Sequence, residues 1–145
     1  MRIGQLAAKA EVDVQTVRYY EREGLIDAPS RTPSGYRTYG PVHLERMQFI
    51  RHCRSLDMPL ADVKRLITLS GDKSVSCDEV NGLVQRHLER VRAKRAALEL
   101  LEKQLTGLND QCEAGHRVAD CGILEELIHA AQGEACACHP GARAK

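Results

Sequence analysis

The sequence runs out of aromatic rings early. All four tyrosines lie in the first 39 residues, the single phenylalanine is Phe49, and everything after it holds none. That long remainder is packed as an aliphatic coiled coil would be. Long apolar runs are missing too. None approaches the ~20 residues of a membrane span, and the opening Met1-Arg2-Ile3-Gly4-Gln5 lacks the apolar core of a signal peptide. The sequence therefore predicts a cytoplasmic protein with no membrane partner. Charge of one sign is scarce as well: the net is +1, with a net of +3 over residues 1–70 and −2 over 71–145. So mild an excess is weak evidence for a nucleic-acid partner on its own. Internal repeats are absent, and the only biased segment is the small-residue tail 131–145. The 145 residues suffice for one small domain and an extension. What the chain does hold is six cysteines, which in a reducing compartment read as metal ligands or redox groups rather than a disulfide framework.

The stretch from Cys77 to Cys121 organises the rest. It opens Ser76-Cys77-Asp78-Glu79, a capping-box pattern in which Ser76 caps the amide of Glu79 and Glu79 reaches back. Positions then recur at steps of four and three: Val80, Val84, His87, Val91, Lys94, Leu98, Leu101, Leu105 and Leu108. This is a heptad seam with two polar entries, and Cys112 is its next position. A helix of some 35 residues at 1.5 Å each is roughly 50 Å long. Cys77 and Cys112 are thus placed at opposite ends of one rod. An antiparallel pair of such rods brings Cys77 of one subunit beside Cys112 of the other. Cys121 follows nine residues later, after a polar loop with Gly115, and can fold back to the same place. The pattern predicts two equivalent three-thiol sites, one at each end of a homodimer.

Upstream, Ile3, Leu6, Ala7 and Ala10 form a short helical stripe. Glu11-Val12-Asp13 breaks it, with Asp13 as N-cap of a second helix from about Val14 to Glu23 that Gly24 ends. Two short helices about a three-residue turn are a helix-turn-helix, whose second helix offers its early residues to the major groove. Those residues are Gln15, Thr16, Arg18, Tyr19 and Tyr20. Pro33-Ser34-Gly35 then reads as a turn between short extended arms, with Arg31, Tyr36 and Arg37 near its tip for phosphate contact: a wing. Pro41 starts a third helix with Leu44, Met47, Ile50 and Cys53 on one stripe, so Cys53 is a core residue. Arg51 and Arg54 on that helix are further candidates for DNA phosphates. Pro59 opens a fourth helix, and a hinge at 70–75 precedes the rod. The expected fold is all-α with a small β wing. Its parts are a winged helix-turn-helix DNA-binding domain (1–70), a coiled-coil dimerisation helix (71–112), and a metal-binding loop, short helix and Cys/His tail (113–145).

Ile3-Gly4-Gln5-Leu6-Ala7, Thr16-Val17-Arg18-Tyr19-Tyr20-Glu21, Gly24-Leu25, Gly35-Tyr36-Arg37 and Tyr39 together resemble the MerR family of bacterial transcription regulators, over essentially the full length. Residues 49–58 and Cys77-Asp78-Glu79-Val80-Asn81 are similar to its lead- and cadmium-responsive branch. The intervals of 35 and nine residues between the three cysteines match the mercury regulator. The resemblance implies a dimer on a palindromic double-stranded operator, repressing without metal. With metal bound, it twists and bends the DNA until RNA polymerase finds both promoter elements aligned, work on DNA shape costing a few kcal/mol. Zinc sensors in the family carry adjacent cysteines in the metal loop. Here the neighbours of Cys112 are Gln111 and Glu113, which weighs against a two-zinc site. Monovalent-metal sensors carry serine where this chain has Cys77, which weighs against copper(I) and silver.

Helix N-termini lower thiol pKa values, and both Cys77 and Cys121 are expected at one, the latter behind Asp120 as the N-cap of a last helix with Ile123, Leu124, Leu127 and Ile128. Soft thiolates select soft metals. Three sulfurs suit Hg(II), Pb(II), or Cd(II) completed by a further ligand, while Zn(II) prefers four donors, for which His116 is a candidate. The branch resemblance puts Pb(II) first and Cd(II) second. Cys136, Cys138 and His139 form a secondary metal-binding candidate on the tail. His43, His52 and His87 read as structural. Other classes fit less well. A thiol redox sensor on the same cysteines is the main alternative, but family members bearing iron–sulfur clusters pack four cysteines into one loop, and this loop has two. A metal buffer has no use for a winged helix, an organic-ligand sensor needs a larger C-terminal domain, and no nucleophile–base set marks an enzyme.

Overall fold

The structure, a computed structural model, describes residues 1–112, 115 and 117–133. In chain order its elements are α1 (Ile3–Ala10), α2 (Val14–Arg22), β1 (Ser30–Arg31), β2 (Arg37–Thr38), α3 (Pro41–Ser55), α4 (Leu60–Ser70), α5 (Asp78–Asn109) and α6 (Gly122–Ala131), with a 3₁₀ turn at Val118–Asp120. Six α-helices and one two-stranded antiparallel sheet among the described residues are the all-α fold with a small wing that the sequence predicts. None of the helices described is long and apolar enough to cross a membrane. The chain divides into two compact units, Met1–Gln85 and Arg86–Lys145.

In the first unit the helix stripes converge. Leu6, Ala7 and Ala10 of α1, Val17 and Tyr20 of α2, Met47, Ile50 and Cys53 of α3, Val63 of α4 and Leu83 of α5 share one core. Cys53 lies in it as expected, and burial pushes its thiol pKa up. Local signals set the helix ends. Glu11 takes a left-handed conformation (φ 54°) that stops α1. The Asp13 carboxylate accepts the Thr16 amide at 2.6 Å and starts α2. At the other end Gly24 (φ 70°) closes a Schellman turn: its amide reaches the Glu21 carbonyl, and the Leu25 amide reaches Tyr20 at 2.8 Å. Lys64 Nζ adds a cation there, donating to the Glu23 carbonyl at 2.8 Å.

The cap has a pH consequence. The Thr16 amide, then its hydroxyl, holds the Asp13 carboxyl below the usual carboxylate range. A lowered folded-state pKa stabilises the fold above the unfolded pKa, and that contribution fades as pH falls through the folded value. Asp13→Ala is therefore expected to lower the melting temperature at neutral pH, with the gap to wild type closing in acid. Thermal melts of the pair at neutral and acid pH check this.

The wing pairs Ser30 with Thr38 and Arg31 with Arg37. Gly35 (φ 83°) makes its turn, donating to the Thr32 carbonyl at 2.8 Å. Tyr39, almost fully buried, ties the wing to its surroundings. Its amide donates to the Met1 carbonyl at 2.8 Å, and its hydroxyl to Glu21 Oε2 of α2 at 3.1 Å. Burial and the Glu21 carboxylate both raise the phenol pKa. His43 stacks edge-on to it, centroids 5.4 Å apart, and its Nδ1 accepts the Gly40 amide that opens α3.

α5 is one helix of 32 residues. Its start differs from the expected capping box. Ser76 Oγ accepts the amide of Asp78 at 3.2 Å rather than that of Glu79. The Glu79 carboxylate pairs instead with Arg65 of α4, a charge-assisted contact that outcompetes a neutral amide. Within the second unit, α6 packs Ala130 against the buried Leu108. The last leucine of the heptad seam is thus covered by the chain itself.

Candidate DNA interface and thiol site

The helix-turn-helix presents Gln15, Arg18 and Tyr19 to solvent and leaves Thr16 half-buried beside its cap. Tyr20 differs from the other candidates of this helix: at 9% exposure it turns into the core. The four-residue spacing to Thr16 hides this, because Val17 and Tyr20, three apart, share the inward stripe. Tyr19 carries Arg22 over its ring at 5.4 Å.

On the wing, Arg31, Tyr36 and Arg37 are exposed and line one open concavity together with Gly35, Ile3 and Arg2. Arg2 was not among the sequence candidates. Its guanidinium lies 4.9 Å above the Tyr36 ring centroid, a cation–π contact that fixes the head of the chain to the wing tip. The three guanidiniums around this concavity form a surface fit for an anion. Arg37 is oriented by Glu21 at 3.8 Å, and Glu21 also accepts Tyr39, so one carboxylate couples α2 to the wing. The α3 cations are differently engaged. Arg51 pairs with Glu11, and Arg54 Nη1 donates to the Met58 carbonyl at 2.7 Å, closing the α3–α4 turn.

The three predicted thiols are free, with Cys77 and Cys112 exposed and Cys121 half-buried. Cys77 is the residue before α5, and its carbonyl accepts the Asn81 amide at 2.9 Å, so it occupies the N-cap position. Cys112 follows the end of α5 and donates its amide to Asn109 at 3.0 Å. Cys121, rather than Asp120, is the N-cap of α6, and Asp120 belongs to the preceding 3₁₀ turn. The Cys121 amide closes that turn on Val118 at 3.2 Å, and its carbonyl takes the Glu125 amide at 3.1 Å.

Gly122, next to Cys121, lies against Gln111, next to Cys112. A Cβ at 122 would run into the Gln111 carbonyl oxygen and stand 3.3 Å from the Gln111 Cβ. Each residue of this contact is the chain neighbour of a cysteine that forms no disulfide. No set of three His, Cys, Asp or Glu side chains converges within one chain among the described residues. His116, Cys136, Cys138 and His139 lie outside the described residues.

Comparison with known proteins places the chain in a family. A family model described as MerR HTH family regulatory protein matches residues 1–69, and one described as MerR, DNA binding matches residues 44–108. The HTH-type transcriptional regulator ZntR of Escherichia coli (strain K12) is 38% identical over 139 residues, spanning 94% of this chain and 99% of that protein. The lead(II) complex of the transcription regulator PbrR691 from Ralstonia metallidurans CH34 is 45% identical with a TM-score of 0.77, over 88% of this chain and 98% of that one. The mercury(II) complex of the dual function transcriptional regulator MerR of Bacillus megaterium MB1 is 28% identical with a TM-score of 0.68, over 88% and 99%.

Proposed function

Because the chain belongs to the MerR family of helix-turn-helix transcription regulators, we propose that it is a homodimeric metal-responsive repressor–activator. Its signal is a soft divalent cation held by Cys77 of one subunit and Cys112 and Cys121 of the other. The chain is a DNA-binding regulator and not an enzyme. The observation that carries the metal reading is the Gln111–Gly122 contact, which sets the neighbours of two free thiols side by side. The third thiol, at the head of α5, reaches them when two α5 helices pair antiparallel. Pb(II) is the first candidate, supported by the 45% identity to a lead-bound regulator. Cd(II) follows, with Hg(II) and Zn(II) behind. A bound cation would supply a thiophilic centre, which Cys77 of one subunit and Cys112 and Cys121 of the other would hold.

The chain's own residues do the rest. Gln15, Arg18 and Tyr19 face the major groove of a palindromic operator, and Arg2, Arg31, Tyr36 and Arg37 hold flanking phosphates. Joining Cys77 to the opposite loop changes the relative stability of two dimer conformations, and the winged domains carry that difference to the DNA and to RNA polymerase. Arg2→Ala is expected to weaken binding evenly across sequences and to reduce the slope of log K against log salt by about 1. Fluorescence anisotropy over a salt series measures it, and an unchanged slope would remove Arg2 from the interface.

The metal assignment is tested by ultraviolet titration of reduced protein with Pb(II), Cd(II), Hg(II) and Zn(II) in competition. A sulfur-to-lead band that survives excess zinc and disappears in Cys77→Ser is the expected result. Equal response to all four ions would place selectivity elsewhere. Loss of the band only on deleting residues 134–145 would move the site to Cys136 and Cys138.

A further inference from the structure

We infer that Gly122 is a positioning residue for the thiol pair: its missing side chain sets the separation of Cys112 and Cys121, and with it the fit of the metal. The inference rests on the thiol-site reading above. Glycine is the poorest helix former after proline, and 122 is the first residue of α6. Its backbone is not among the positive-φ glycines, so conformation does not demand it there. Space does. A Cβ at this position meets the Gln111 carbonyl oxygen, with the Gln111 Cβ at 3.3 Å and its carbonyl carbon at 3.4 Å.

These obstacles are backbone and near-backbone atoms. Gln111 is held by its own amide bond to the Leu108 carbonyl at 3.0 Å, and the Cys112 amide is bound to Asn109 at 3.0 Å. The other side is equally tied, with Cys121 bonded back to Val118 and forward to Glu125. A methyl group at 122 is accommodated only by moving one of these turns. Each turn carries a thiol residue directly next to the contact. Metal sites tolerate errors of only about 0.5 Å in their supporting shell, and disturbing such support typically costs about 10- to 100-fold in metal affinity. Short bonds suffer most, so Zn(II), with Zn–S of about 2.3 Å, is expected to lose more than a larger ion.

The experiment compares full-length Gly122→Ala, Leu108→Ala and Cys112→Ser with wild type. Each is titrated with Pb(II) and with Zn(II), reading band position, band intensity and affinity, alongside metal-free operator binding and helix content. Gly122→Ala is expected to lose about 10- to 100-fold in affinity, with a shifted band, unchanged helix content and unchanged metal-free operator binding. Leu108→Ala loosens the packing of α6 against α5 without touching the contact, so its band position should stay that of wild type. A wild-type band and affinity in Gly122→Ala would overturn the inference. So would an equal band shift in Leu108→Ala, which would make α6 docking the cause. If Cys112→Ser itself leaves the band intact, the thiol-site reading fails, an outcome separate from the failure of the glycine's role.

Discussion

Replacing Cys112 with serine is expected to abolish metal-dependent activation while leaving the metal-free protein on its operator. The expectation rests on Cys112 lying outside the unit that carries the helix-turn-helix and the wing. The groove-facing side chains and the wing belong to the unit Met1–Gln85, whose core holds none of the three sensor thiols. Cys112 sits after α5 and is exposed, outside the buried cores. Serine has nearly the same shape but a hydroxyl far too weak an acid to become the anionic ligand a soft cation needs. Metal binding therefore drops to what two sulfurs hold, and the bridge between subunits is gone. Cys77→Ser and Cys121→Ser should behave alike, because each removes one donor of the same site. Promoter transcription with and without Pb(II), set beside operator affinity, reads both halves. Loss of operator binding in these variants would contradict the separation.

The second large effect concerns the bare stripe of α5. Val84, Leu88, Val91, Leu98, Leu101 and Leu105 are 40–64% exposed in the single chain, with Leu98 the most exposed of them. Leu98, Leu101 and Leu105 line one shallow groove with Glu102, Thr106 and Asn109. Burying a leucine stabilises an interface by about 1.5–3 kcal/mol, so this stripe calls for a partner helix. A charge on it reverses the sign, since an unpaired carboxylate in an apolar seam costs more than the leucine contributed. The double variant Leu98→Glu/Leu101→Glu is expected to be monomeric. It should lose about 10²- to 10⁴-fold in operator affinity, the avidity of linked half-sites. The fold of residues 1–85 should persist, because Leu83 and the core around Met47 are untouched. Sedimentation equilibrium and operator titration check this, and a dimer that survives both charges would mean that another surface holds the subunits together.

Much of this architecture is legible in the sequence where one residue type has one physical use. Asp13 before a helical stripe, Gly24 after it and Gly35 in a turn each announce their backbone role, and the structure has all three in those roles. Cys53 reads as core because it shares a three-residue stripe with Met47 and Ile50. Competition between groups distant in sequence is what a local pattern cannot carry. Glu79 leaves its capping box because Arg65 stands nearby, and Arg2 joins the wing because folding brings it onto Tyr36. Tyr20 turns inward although its neighbour Tyr19 does not. Leu108 continues the heptad seam, yet α6 folds back to cover it. The importance of Gly122 is invisible without knowing that Gln111 lies against it.

The central claim is that each thiol site is built from two subunits, and a mixed dimer tests it most directly. One subunit carries Cys77→Ser and the other Cys112→Ser, with separate affinity tags to isolate the heterodimer. The metal stoichiometry is then measured by equilibrium titration with Pb(II). If Cys77 of one subunit completes the loop of the other, both mutations fall in the same site and the second site is intact. The mixed dimer then binds one ion tightly while neither mutant homodimer binds any ion with that affinity. A mixed dimer as inert as its parents would show that each site is closed within a single chain, and the intersubunit account would be wrong.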